Sequence, residues 1–224
     1  MTTTTPQLPA ETADPAAVAE RVLGIVNSGS IAVLGSIGHQ LGLFETLAGL
    51  PSATSEQISD AAGLEERYVR EWLGGVVTAS FVDYDPVART YSLCEDHAPF
   101  LTGAGPDNLA RTMRYVTLMG EVTPLVIEKF RTGGGLSYDD YPGFHDVQAE
   151  DSGAVNDAAL LDTIVPLTGI AERLRDGIDV ADMGCGEGHA VNLLARAFPA
   201  SRFSGLDFSQ EALAAGRAEA AAWG

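Results

Sequence analysis

The chain has 224 residues, of which 46% are hydrophobic, which suffices for one large domain or two small ones with a buried core. Its 31 acidic residues outnumber 13 basic ones, and the net charge of −18 opposes binding to nucleic acid or to an anionic membrane. The two cysteines, Cys94 and Cys185, lie far apart in the sequence, match no metal-binding pattern and suit a reducing compartment.

The N-terminal segment, residues 1–15, is rich in threonine and proline and lacks the basic residues and apolar block of a secretory signal. We expect it to be a disordered tail. The nearest candidate for a membrane helix, residues 30–44, is shorter than the roughly 20 apolar residues required. The sequence therefore predicts a cytoplasmic protein with no membrane contact.

Helical periodicity dominates the next part of the chain. Apolar residues recur at helical spacing over 18–44, which predicts two or three helices. A capping-box spacing opens a short helix over 54–63, and a second helix covers 68–77. Two short strands, 81–84 and 90–93, flank a turn. Helix, turn, helix and hairpin form the outline of a winged helix.

A further apolar helical pattern covers residues 106–130. Pro124 is expected to break or kink this helix, because proline lacks a backbone N–H group. Arg111 and Arg114 are three residues apart, and we expect them to form a solvated face.

The pattern changes after residue 170. It predicts a buried strand over 178–183, a helix over 190–198, a second strand over 202–206 and an alanine-rich helix capped by Ser209. Strand, helix, strand and helix form a right-handed parallel unit of a doubly wound sheet. We therefore expect an α/β fold, in which a helical winged-helix domain precedes the first part of a Rossmann-like sheet. The expected divisions are a tail at 1–15, the winged-helix domain at 16–100, a helical connecting and substrate-lid region at 101–170, and a partial Rossmann-like domain at 171–224.

A glycine motif, Asp182-Met183-Gly184-Cys185-Gly186-Glu187-Gly188, lies where the first of these strands turns into a helix. Ligands of open α/β sheets bind at this carboxyl end of the strands. Glycines allow a sharp turn and close approach of a ligand, and the helix N-terminus attracts an anionic group. Asp207 stands at the tip of the next strand, where a carboxylate accepts hydrogen bonds from both hydroxyls of a ribose.

The glycine spacing separates two classes of nucleotide ligand. Dinucleotide-binding enzymes use G-x-G-x-x-G, whereas this chain has G-x-G-x-G preceded by Asp182. A carboxylate repels a pyrophosphate and attracts a ligand that carries an ammonium and a sulfonium. A dinucleotide-binding oxidoreductase is thus a less favoured alternative, and a glycine turn in an ordinary α/β domain is another.

The segment 180–188, followed by Gly205-Leu206-Asp207-Phe208-Ser209, resembles motif I and the second-strand acid of the class I S-adenosylmethionine-dependent methyltransferases. The resemblance implies S-adenosylmethionine as the cofactor. It also implies the roles of the cofactor-binding residues, which are Asp182, Gly184, Gly186 and Gly188 around the methionine part, Asp207 on the ribose and Phe208 near the adenine.

Residues 41–44, 54–64 and 67–73 resemble the winged-helix domain that many small-molecule methyltransferases carry ahead of the catalytic domain. The resemblance implies a small-molecule methyl acceptor and a homodimer through the N-terminal helices, over about residues 16–48. The alternative is a winged-helix transcription regulator, but residues 44–97 contain 3 basic and 10 acidic residues, a balance that opposes phosphate binding.

The resemblance also predicts an incomplete catalytic domain, because relatives have a seven-stranded sheet and this sequence supplies two strands. We expect a C-terminally truncated member that is inactive as a methyltransferase by itself. Candidates for catalysis from the N-terminal part are Tyr138, Tyr141 and His145. The tyrosines line the acceptor pocket or anchor the neighbouring glycine loop, and His145 is a general base or a surface histidine. The sequence does not identify the acceptor or a metal site.

Overall fold

The computed structural model describes residues 14–224, so most of the predicted tail lies outside the described residues. The first half of the chain folds into helices and one hairpin. These elements are α1 Pro15–Gln40, α2 Leu43–Gly49, α3 Ser55–Ala62, α4 Glu66–Thr78, β1 Val82–Asp85, β2 Thr90–Leu93, α5 Ala98–Leu101, α6 Leu109–Thr112 and α7 Arg114–Thr132.

The second half contains a helical connection and a parallel strand pair. A 3-10 turn, Tyr138–Asp140, precedes α8 Phe144–Ala159, which continues through a π-helical turn, Leu160–Ile164. The remaining elements are α9 Val165–Thr168, α10 Ala171–Asp176, β3 Asp179–Met183, α11 His189–Ala197, β4 Arg202–Leu206 and α12 Gln210–Trp223.

Helix α1 is one continuous helix of 26 residues, and α2 begins at Leu43, so two helices cover the segment 18–44 for which the sequence predicted two or three. Helix α1 begins where the Asp14 carboxylate accepts a hydrogen bond from the backbone N–H of Ala16, with Pro15 in the first turn. It ends before Gly42, which has a φ of +64°. By length and composition this helix could also cross a membrane, because an 18-residue window within it has a mean hydropathy of 1.4. This corrects the expectation that no apolar stretch is long enough. Such a helix near an N-terminus is weak evidence for a membrane.

The winged-helix unit is built around α4. Its apolar face, Val69, Trp72, Leu73 and Val76, is buried against α1, α2 and α3. The Trp72 indole donates a hydrogen bond of 2.8 Å to the Leu34 carbonyl and meets the ring of Phe44 edge-on. Strands β1 and β2 pair antiparallel, with Val82 opposite Leu93. The predicted helix–turn–helix–hairpin order is confirmed, including the capping box of α3 at Thr54.

Helix α7 runs through Pro124 without a break, so of the predicted break or kink the break is wrong. The proline removes the hydrogen bond to the carbonyl of Gly120. Both residues are exposed, so that water satisfies the freed carbonyl oxygen.

The prediction that Arg111 and Arg114 form a solvated face is also wrong. Arg111 is only 2% exposed, and its guanidinium donates to the carbonyl of Gly105 and to Asp151. Arg114 pairs with Glu150. The physical reason is helix α8, whose acidic side chains face α6 and α7 and draw both arginines inward.

Strands β3 and β4 form a parallel pair, with Asp179 opposite Arg202 and Met183 opposite Leu206. Helix α11 packs on this pair and on the π-helical turn, and a second core forms around Leu160, Leu174 and Phe198. The predicted strand–helix–strand–helix unit is confirmed, and it places the ends of β3 and β4 side by side. The fold is thus a helical winged-helix unit followed by part of a Rossmann-like sheet.

Candidate functional site

The loop between β3 and α11 has the conformation that its glycines were predicted to allow. Gly184, Gly186 and Gly188 have φ values of +82°, +55° and +71°, in the left-handed region that favours glycine. The backbone N–H groups of Gly184 and Cys185 both donate to the Leu206 carbonyl, at 2.7 and 3.1 Å. The loop is therefore anchored to the end of β4.

Asp207 makes a second connection between the loop and β4. One carboxylate oxygen accepts a hydrogen bond of 2.9 Å from the Gly186 N–H, and the other accepts one of 2.8 Å from the Ser209 N–H. The Ser209 bond lowers the pKa of Asp207 below 3.8; partial burial opposes the shift, while Gly186 and the charge of His145 add to it. The carboxylate is ionised at neutral pH and keeps further lone pairs for hydroxyl donors.

Cys185 lies under the loop, against β4. A Cβ atom built on Gly205 would stand 2.8 Å from the Cys185 sulfur, so the strand needs glycine at that position. Burial, and then the charges of Asp182 and Asp207, raise the pKa of the Cys185 thiol. The thiol therefore stays protonated and acts as a small packing group.

A cavity of about 830 Å³ lies between the glycine loop and α8. This volume is in the range of sites that hold a cofactor or drug-sized ligand. All six predicted cofactor-binding residues line it, namely Asp182, Gly184, Gly186, Gly188, Asp207 and Phe208. The opposite wall is formed by α8, and it includes Asp146, Glu150 and Asp157.

The structure brings two of the three catalytic candidates to this cavity. Tyr138 and His145 line it, whereas Tyr141 packs near Phe144 outside the lining. The Tyr138 ring lies 4.9 Å from that of Phe208 and is stacked at 6.1 Å on His145, measured between ring centroids. An aromatic cluster thus stands beside Asp207.

The acidic wall of α8 was not predicted from the sequence. The sequence placed this segment only within a helical connecting region, 101–170, because the apolar periodicity of 144–153 is weak. Within this wall Glu150 accepts a hydrogen bond of 2.7 Å from His39 Nε2 and pairs with Arg114. The acidic spacing of Asp146, Glu150 and Asp157 at helical intervals was the available signal.

Glu187, in the glycine motif, also faces the cavity. Its pKa is raised, first by burial and second by the carboxylate of Asp146, while the charge of His145 opposes the shift. The cavity is therefore rich in carboxylates. Among residues 14–224, no group of three or more His, Cys, Asp or Glu side chains is placed to hold a metal ion.

Comparisons with known families agree with this architecture. Residues 29–103 match the family model of the Rv2258c-like winged HTH domain, and residues 180–224 match that of a methyltransferase domain. The order of the two matches, a winged-helix domain followed by a methyltransferase domain, is the order that the sequence motifs predicted.

Solved structures with the same fold include the following, each with a TM-score of 0.60 or more. Mitomycin 7-O-methyltransferase MmcR is 20% identical, with a TM-score of 0.60 over 93% of this chain and 63% of its own. Human N-acetylserotonin methyltransferase, in complex with S-adenosylmethionine, is 14% identical, with a TM-score of 0.60 over 93% of this chain and 64% of its own. An O-methyltransferase-like protein from Nostoc punctiforme PCC 73102 is 15% identical, with a TM-score of 0.62 over 96% of this chain and 62% of its own.

The chain thus spans slightly less than two thirds of the length of these solved structures. No curated protein sequence matches it.

Proposed function

We propose that this protein takes part in methyl transfer from S-adenosylmethionine to a small-molecule acceptor, with the cofactor-binding residues in 171–224. The observation that carries the proposal is the placement of Asp182, the three glycines and Asp207 on one wall of the 830 Å³ cavity. The structural neighbours that are complexes of S-adenosylmethionine or its product support the same cofactor.

The residues of this wall fit the parts of that cofactor. Asp182 would attract the ammonium and sulfonium charges, and the three glycines would let the methionine part lie against the backbone. The ionised Asp207 would accept hydrogen bonds from the ribose hydroxyls, and Phe208 would contact the adenine. When bound, the cofactor would supply a methyl group activated by its sulfonium, whose carbon an acceptor attacks in line as the carbon–sulfur bond breaks.

The residues 101–170 are proposed to carry the acceptor side of the cavity. Tyr138 and His145 are the candidates for contacting the acceptor, since both line the cavity beside Asp207 and Phe208. His145 would take the acceptor proton, a role for which an imidazole is well suited near neutral pH. Tyr141 is proposed only as a packing residue that supports Phe144.

A homodimer through the N-terminal helices, within the proposed domain 16–100, is also part of the proposal. The first half of α1 exposes Val22, Leu23, Ile25 and Val26, each more than half exposed. Apolar side chains in such a contiguous row are typical of a protein interface. A second copy of this chain is the proposed partner, in the cytoplasm.

Nucleic acid is not a proposed partner. Residues 44–97, which include the helix α4 that would enter a DNA groove, have 3 basic and 10 acidic residues. Contact with phosphates requires the opposite balance of charge. A winged-helix regulator is therefore a weaker alternative. A dinucleotide oxidoreductase is also weaker, because the carboxylate of Asp182 beside the glycine loop would repel a pyrophosphate.

Isothermal titration calorimetry distinguishes these classes. S-adenosylhomocysteine, which has no reactive methyl group, should saturate one site per chain, whereas NAD⁺ and a random-sequence DNA duplex should give no binding heat. Saturation with NAD⁺ in place of S-adenosylhomocysteine would contradict the proposal, and tight DNA binding would favour the regulator.

A further inference from the structure

His189 is the first residue of α11 and follows directly on Gly188 of the glycine loop. Its ring Nδ1 lies 2.7 Å from a carboxylate oxygen of Glu219 in α12, and its Nε2 lies 2.9 Å from a carboxylate oxygen of Asp157 in α8. Ionised carboxylates only accept hydrogen bonds, so the ring satisfies both only as the doubly protonated imidazolium. One side chain thus joins three helices at the edge of the cavity.

The surroundings of His189 fix this arrangement further. The Asn192 amide donates to the second oxygen of Glu219 at 2.8 Å and to the carbonyl of Gly216 at 3.0 Å. Trp223 packs edge-on against the imidazole, with its ring centroid 5.8 Å away. The carboxylate of Glu219 is therefore held by two donors, and α12 is fixed along α11.

The absence of a side chain at Gly216 lets α12 reach the loop itself. A Cβ atom on Gly216 would collide with the backbone carbonyl oxygen of Glu187 and lie 3.6 Å from Gly188 Cα. The backbone of α12 is thus in contact with the glycine loop. On the other side, a Cβ atom on Gly153 of α8 would lie 3.9 Å from the His189 ring.

A cation at this position is costly without partners. The N-terminus of a helix carries a partial positive charge, which repels an imidazolium. Burial also disfavours the charged ring, but the hydrogen bonds to Asp157 and Glu219 outweigh burial and raise the pKa of His189 above 6.5. Those two carboxylates are the charged groups that contact the ring from α8 and α12.

We propose that His189 is a positioning residue that holds α8 and α12 against the glycine loop and thereby keeps the two walls of the cavity together. Its effect on cofactor affinity rests on the proposed function, whereas its effect on the contact between the helices does not. As pH rises through the raised pKa of His189, the ring loses one proton and with it one of the two hydrogen bonds. The walls should therefore be held together most firmly below that pKa.

The first arm of the test measures the contact without any cofactor. In ¹⁵N-histidine NMR spectra of the full chain at pH 6, both ring nitrogens of His189 should be protonated. In His189→Gln, amide hydrogen exchange in the segments 153–157 and 184–188 should accelerate roughly threefold to tenfold, as expected for loss of charge-assisted hydrogen bonds at a partly exposed site. Arg202→Gln is the matched control, since it breaks an exposed ion pair on the same strand pair and should leave these segments unchanged.

A neutral ring at pH 6, or unchanged exchange in His189→Gln, would overturn the proposal. Glu219→Gln serves as the second variant if His189→Gln does not fold, because it keeps the side-chain shape and removes one charge. It should accelerate exchange in 184–188, and a protection pattern identical to that of the parent would equally overturn the proposal.

The second arm titrates S-adenosylhomocysteine into each variant between pH 6 and 8.5. The parent chain should lose affinity roughly threefold to tenfold as pH rises through the pKa of His189, and His189→Gln should bind weakly and with no such dependence. Equal affinity and the same pH profile in both would contradict the effect on the cofactor. No binding to the parent at any pH would contradict the proposed function instead, and the exchange measurements would still decide the role of His189.

Discussion

Gly38 in α1 provides a sharp test of how the winged-helix core is packed. A Cβ atom at this position would stand 2.5 Å from the Trp72 ring and 2.7 Å from the Phe44 ring. Both rings are buried, with exposures of 4% and 0%, and they pack against each other edge-on at 5.2 Å. Both rings belong to the buried core of the winged-helix unit, so an added methyl group overpacks that core.

The expected magnitude for Gly38→Ala combines two opposed effects. Alanine favours a helix interior over glycine by about 1 kcal/mol. Overpacking a well-filled core costs roughly 1–3 kcal/mol, and contact with two rings indicates the upper part of that range. We therefore expect the free energy of unfolding to fall by about 1–2 kcal/mol and the melting temperature to fall by several degrees.

The assay is urea and thermal unfolding followed by circular dichroism. Gly74→Ala is the matched control, because Gly74 lies in α4 of the same unit and an added Cβ atom would have no neighbour within 4 Å. It should stabilise the chain by up to about 1 kcal/mol. A Gly38→Ala chain that is as stable as Gly74→Ala would refute the packing of α1 against Trp72 and Phe44.

Two further predictions concern the exposed surface of α1 and the free energy of unfolding at low pH. Ile25→Glu should convert the dimer into a monomer in sedimentation velocity at micromolar concentration. The control Val87→Glu, at a residue of the hairpin turn that is 92% exposed, should remain a dimer. A monomeric parent chain would exclude this interface. The lowered pKa of Asp207 implies a contribution to stability that is complete above pH 3.8 and is lost as pH falls through the lowered pKa. Urea unfolding between pH 2 and 6 should show this loss of stability in the parent chain and a smaller loss in Asp207→Asn. An equal loss of stability at low pH in both chains would contradict the prediction.

The sequence predicted the elements whose local signals were strong. The capping box at Thr54, the amphipathic face of α4 and the glycine loop from Asp182 to Gly188 each encode their own conformation, and the structure has them as expected. The cofactor-binding candidates were identifiable because a single turn between β3 and α11 carries most of them. Their roles stay predictions until a ligand is bound.

Features that depend on distant partners were not predictable from local patterns. The burial of Arg111 depends on Asp151, which is 40 residues further along the chain, and the ion pair of Arg114 depends on Glu150. The continuity of α7 through Pro124 depends on solvent exposure, which hydrophobic periodicity alone does not determine.

The central claim is that the wall formed by the glycine loop and Asp207 binds S-adenosylmethionine. The most direct measurement is the calorimetric affinity of S-adenosylhomocysteine for the parent chain, for Asp207→Ala and for Asp179→Ala, whose carboxylate is exposed on the neighbouring strand and paired with Arg202. Removing Asp207 should cost about 1–3 kcal/mol of binding free energy, since it deprives the ribose hydroxyls of their acceptor. Asp179→Ala should bind like the parent. Equal affinity of Asp207→Ala and the parent would contradict the assignment of this site.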